Sequence, residues 1–136
     1  MVRRQTRTLA LVALGLIVLV AAGCGKTKSA RPPAQGKQPS PRASALATFN
    51  SNDCGQCHIF APAKSTGTIG PNLNKLKAAA RADGIPLGQF VYQAVTDPNT
   101  YVAPGYQAGV MPADYLSAIP PGKLTQLVTF LVMHTH

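Results

Sequence analysis

Five consecutive residues, Cys54-Gly55-Gln56-Cys57-His58, restrict what this chain can fold into more than any other stretch. Two cysteines three positions apart share one face of a helical turn. The spacing therefore predicts a local helix that aims both thiols the same way. The histidine that follows is held beside whatever the thiols grip. Three chemistries use such a pair. A zinc knuckle needs further Cys or His ligands, and the only other cysteine, Cys24, stands in a segment of a different kind. A thioredoxin-like dithiol needs a βαβ surround, and the sequence offers none. The third is C-x-x-C-H as the attachment sequence of a c-type haem. Each thiol S–H adds across a porphyrin vinyl group, forming an S–C bond and passing its hydrogen to the neighbouring carbon. The imidazole then binds the iron from the proximal side. The expected cofactor is one haem c, covalent through Cys54 and Cys57 and ligated by His58.

The residues ahead of this motif divide into a leader and a linker. Arg3, Arg4 and Arg7 precede Leu9 to Ala22, a run that is apolar apart from Gly15, and Ala21, Ala22 and Gly23 lead into Cys24. A basic start, a short apolar run and small residues read as an export signal. The stretch resembles the bacterial lipoprotein signal, whose peptidase cuts before a cysteine lipidated on sulfur; Ala21 stands where the usual pattern has leucine. The resemblance implies that residues 1–23 are removed and that lipid on Cys24 anchors the protein. Its place would be the outer face of the cytoplasmic membrane, on the periplasmic side. The apolar run falls short of the roughly 20 residues of a transmembrane helix, and an uncleaved N-terminal anchor and plain secretion stay open as alternatives. With lipid on Cys24 and haem on Cys54 and Cys57, the odd number of cysteines is accounted for. Residues 24–45 are expected to be a linker. Pro32, Pro33, Pro39 and Pro41 lie among Gly, Ser, Gln and basic residues, and there is too little apolar surface to offset the entropy of ordering. As a flexible tether this stretch spans roughly 25 Å on average. Its cations either meet anionic headgroups or simply keep it solvated.

The formal net charge of +9 is unevenly placed. Eight of the thirteen Lys and Arg residues lie in residues 1–45, where there is no acid; the other five share residues 46–136 with all four Asp. The domain is nearly neutral. A nucleic-acid partner would call for a basic face on the folded part, so that class is excluded.

Residues 46–136 are expected to form one all-α domain of three to four helices. The first helix covers Ala45 to Asn52, with Leu46 and Phe49 on one face. Another runs from Leu73 to Asp83 and ends at Gly84. A third covers Leu87 to Thr96, stopping before Asp97-Pro98 because the residue before proline is pushed out of the helical region. The last begins near Pro121, a favoured first-turn residue, and carries the stripe Leu124, Leu127, Val128 and Leu131. Residues 97–121, with Pro98, Pro104, Gly105, Gly109 and Pro112, read as loop. His134 and His136 fall on a tail expected to fray into solvent. A single C-x-x-C-H and no internal repeat mean a single haem.

These features together resemble a class I cytochrome c domain. The motif, Gly70-Pro71-Asn72-Leu73, Phe49 five places before the first cysteine, and Val110-Met111-Pro112 downstream carry the likeness. The stretch from Asp97 to Pro112 is similar to the distal loop of cytochrome domains attached to subunit II of some haem–copper oxidases. The resemblance implies a cytochrome c-like fold wrapped around the haem, with Phe49 packed against the stripe holding Leu127 and Leu131. It implies Met111 as the sixth ligand, opposite His58. It also implies that the carbonyl of Pro71 accepts the other imidazole N–H and that Leu73 packs on the porphyrin. Tyr101 and Tyr106 either hydrogen-bond the propionates or cover the ring by packing. Lys75, Lys77 and Arg81 form either a docking edge for an acidic partner or a solvated helix face. A thioether favours Fe(II), so His/Met ligation raises the potential relative to two imidazoles. The expected function is single-electron transfer between respiratory-chain partners by a membrane-tethered carrier that is not itself an enzyme. It would be monomeric and meet an oxidase, a reductase or another respiratory complex transiently. Two alternatives remain: an electron-entry subunit of a larger oxidoreductase complex, and a haem-based gas sensor or enzyme with a labile distal side.

Overall fold

The computed structural model describes residues 38–136; the leader, Cys24 and the linker up to residue 37 lie outside them. The described part is mostly helical, with 58% of residues in helix and 4% in strand. Helix α1 spans Pro41–Ser51. It starts four residues earlier than the apolar pattern indicates, because Ser40 caps it by accepting from the Ala43 N–H at 3.2 Å and Pro41 occupies the first turn. Pro41 to Ala45 are thus helix rather than linker. Asp53 then reverses the chain in a left-handed conformation (φ 54°), which a short polar side chain tolerates. The single turn α2 (Cys54–Cys57) follows.

Two features were not expected. A two-residue hairpin pairs β1 (Ile59–Phe60) with β2 (Ser65–Thr66), antiparallel, Ile59 opposite Thr66 and Phe60 opposite Ser65. Within the expected 97–121 loop lies one more helical turn, α5 (Tyr115–Ala118). The other boundaries are close to the sequence pattern. A 3-10 turn at Leu73–Lys75 leads into α3 (Leu76–Asp83), which ends at Gly84; α4 covers Leu87–Thr96 and α6 Pro121–His134.

Helix α6 packs on α1 and α4, and α3 packs on α4. Phe49, Leu127 and Leu131 are all buried in the resulting core. The ring nearest Phe49 among the aromatic pairs is Phe60 of β1, with centroids 5.7 Å apart, and Phe60 in turn meets Phe130 edge-on at 5.6 Å. An aromatic chain therefore ties α1, the hairpin and α6 together. Such pairs add about 0.5–1.5 kcal/mol beyond simple burial. The C-terminal residues are not a free tail. His134 donates Nδ1–H to the Phe130 carbonyl at 2.8 Å and lies 3.3 Å from Arg42 of α1. Thr135 and His136 both bond the Asn74 carbonyl. Backbone and hydroxyl donors with fixed acceptors replace the solvation expected from the sequence. Among the described residues no helix is long and apolar enough to cross a membrane.

Candidate functional site

Gly67 and Gly70 set the close packing around the cysteine turn. A Cβ on Gly67 would lie 2.3 Å from the Gln56 carbonyl oxygen, and one on Gly70 would lie 2.5 Å from His58 Cε1. The chain from β2 thus lies flat across α2 and under the imidazole, where only glycine fits. The Gly70 N–H donates to the Cys57 carbonyl at 2.7 Å and locks this approach. His58 is the first residue past α2, in extended conformation, and its backbone N–H still closes the turn on the Cys54 carbonyl at 3.0 Å. Its side chain is 8% exposed.

The ring's protonation state follows from its partner. Nδ1 sits 2.7 Å from the Pro71 carbonyl oxygen. A carbonyl can only accept, so Nδ1 carries the hydrogen and Nε2 keeps a free lone pair. Burial lowers the imidazole pKa below 6.5, opposed in part by the Pro71 bond. The neutral, ligating form is favoured. Burial also pushes the Cys54 thiol up to about 11, with smaller contributions from Asp53 and Cys57. Both cysteines are free thiols.

One cavity of about 470 Å³ opens beside these groups. Its volume falls within the roughly 300–1,000 Å³ of small-molecule and cofactor sites. Cys54, Cys57, His58, Pro71, Leu73, Tyr101, Tyr106 and Met111 all line it. Every site residue read from the sequence inside the described part therefore meets in one place; Cys24 lies outside the described residues. The walls are mainly apolar, from Phe49, Leu76, Phe90, Val91, Ile119 and Leu127 among others. Tyr101 is held by Phe90, edge to face at 4.8 Å, whereas Tyr106 is exposed at the rim. Lys75 also lines the cavity, while Lys77 and Arg81 stand exposed on α3.

Compared with known proteins, the chain matches no family model, no curated protein and no solved structure. The functional reading rests on the chain's own residues.

Among the described residues no three of His, Cys, Asp and Glu converge so as to hold a metal ion by themselves. Cys54, Cys57 and His58 face the same cavity without focusing on one point, as they would around zinc. Two thiols, an imidazole Nε2 and a thioether distributed around an apolar chamber suit a large flat ligand that carries its own metal. The donor set fits haem.

Two residues at the site went unnoticed in the sequence. Asn99 accepts from the Gly109 N–H at 2.8 Å and closes the loop that carries Met111 two residues further on. Tyr115 lines the cavity, its hydroxyl 3.5 Å from the Asn52 carbonyl. Burial, and then the neighbouring Cys54, raise its pKa. A lone asparagine and a tyrosine in a proline-rich stretch carry no periodic signal, so nothing local marks either one.

Proposed function

We propose that this chain is a monohaem c-type cytochrome with a class I cytochrome c-like fold, tethered to the membrane through Cys24. It carries single electrons between respiratory-chain partners. The observation that carries this reading is the gathering of Cys54, Cys57 and His58 with Met111, which is distant from them in sequence, on the wall of one apolar cavity. When bound, the haem iron supplies a one-electron couple.

The chain's residues provide the rest. Cys54 and Cys57 are the two thiols for vinyl attachment. His58 offers Nε2 as a lone-pair donor, with its orientation and tautomer set by the Pro71 carbonyl. A bound imidazole so supported is a stronger base. Met111 offers a soft thioether from a different part of the chain, which favours the reduced metal. Leu73 and the apolar walls keep water away. Tyr101 and Tyr106 either bond the propionates or cover the ring. The near-neutral domain and the lone charges Asp53 and Lys75 on the cavity wall favour brief contacts with redox partners over tight charge pairing.

The test is made on protein matured in an exporting host. Acid–acetone extraction is expected to leave the pigment on the polypeptide, and mass spectrometry to place one porphyrin on the peptide holding Cys54 and Cys57. Pigment that washes out, or a peptide of unmodified mass, overturns the reading. The same spectra report cleavage and acylation at Cys24.

A further inference from the structure

Asn74 bonds in more directions than its place in a loop requires. Its Oδ1 accepts from the Ala61 N–H at 3.0 Å, three residues beyond His58. Its Nδ2 and its backbone N–H both donate to Asn72 Oδ1, at 2.8 and 2.9 Å, and Asn72 directly follows Pro71. Its carbonyl accepts from Thr135 Oγ1 at 3.0 Å and from the His136 N–H at 2.8 Å. The Asn74 side chain thus joins the segment that leaves the imidazole to the segment that offers the imidazole its acceptor. Residues from the far end of the chain hold Asn74 in turn. The His58–Pro71 and Ala61–Asn74 contacts therefore bridge the same two segments, offset by three residues at each end.

We propose that Asn74 is a positioning residue that holds the Pro71 carbonyl on His58 Nδ1, and that Thr135 braces it; this rests on the haem reading above. A carbonyl drawn close to Nδ1–H makes the imidazole a stronger donor through Nε2, which favours the oxidised metal. Loosening the clamp lets Pro71 drift, weakens that donation and raises the reduction potential. The experiment reads this as an upward shift of the midpoint potential. The same loosening exposes the Nδ1 proton, so its exchange with solvent speeds up.

The experiment uses the full matured chain as wild type, Asn74→Ala, Thr135→Val and Thr135→Ser, with a redox titration and NMR of the His58 Nδ1 proton in the reduced state. Asn74→Ala is expected to raise the potential and hasten proton exchange. Thr135→Val should do both to a smaller extent, and Thr135→Ser, which keeps the hydroxyl, should restore wild-type values. A fall in melting temperature with potential and exchange unchanged overturns the proposal, because a purely structural role would do only that. If Asn74→Ala yields no mature protein, the Thr135 pair decides alone, and an unchanged Thr135→Val overturns it. A wild-type chain without covalent porphyrin refutes the haem reading instead, and is recognised before any variant is compared.

Discussion

Withholding haem is the perturbation with the largest consequence. The cavity measures about 470 Å³ and most of its walls are apolar. At about 24 cal/mol per Å³ of unfilled volume, keeping it empty and dry would cost about 11 kcal/mol. Whole domains are stable by only about 5–15 kcal/mol. Water entering the mouth reduces the penalty but leaves the partly buried wall residues Leu73, Ala79 and Tyr101 wetted, so the apolar surface of the chamber goes without a partner. The haem-free chain is therefore expected to lack a cooperative native state. The comparison is between matured protein and the same polypeptide made where haem is not attached. The haem-free form should lose near-ultraviolet dichroism and melt broadly, or at a midpoint lower by about 20 °C or more. Alkylation gives a local reading. If the cavity kept its shape, burial would hold the Cys54 thiol at about 11 instead of 9.0, and about a hundredfold less thiolate would react at neutral pH. A normal alkylation rate is expected instead. A sharp melt within a few degrees of the matured protein, together with a protected Cys54, would refute the argument that a cofactor completes this core.

Met111→Ala should open the distal side, so that the reduced protein binds carbon monoxide at neutral pH while the parent does not; absorbance spectra distinguish the two. Asn99→Ala, which frees the Gly109 N–H, should let added imidazole displace the thioether at lower concentration, followed by loss of the long-wavelength thioether–iron band. Gly67→Ala places a methyl against the Gln56 backbone and should destabilise by about 1–3 kcal/mol or more, whereas Gly88→Ala, with open space around it, should stabilise by about 0.4–1 kcal/mol; urea melts of the two variants check both signs. Acid titration follows His58. Its pKa in the fold is lowered from 6.5, so the unfolded chain takes the proton more readily, and stability present above pH 6.5 is lost only as pH falls through the lower value. In the matured protein the Nε2 lone pair is also engaged on the iron, which opposes protonation further, so its spectrum should hold steady from pH 7 to below 6.5; a transition centred at or above 6.5 would contradict ligation by His58.

Helices α3, α4 and α6 could be read from the sequence because each carries its own punctuation: Gly84 after one, Asp97-Pro98 after another, Pro121 at the start of the third. The start of α1 was misplaced because apolar periodicity is silent where a serine cap and a proline begin a helix. The β1–β2 hairpin is too short for an alternating pattern to register. The C-terminal residues looked free because hydrogen bonds to Asn74, some sixty residues away, leave no local trace.

The chemistry of the site was written in the order of residues. Two thiols and an imidazole in five positions define what they can hold, since bond reach and helical spacing are local properties. Which residues close the chamber, how the imidazole ring is turned and protonated, that Gly70 and Pro71 meet that ring, and that Asn74 meets Thr135 were settled only when the chain folded. Those facts depend on distances between segments far apart in sequence, and packing rather than local propensity determines them.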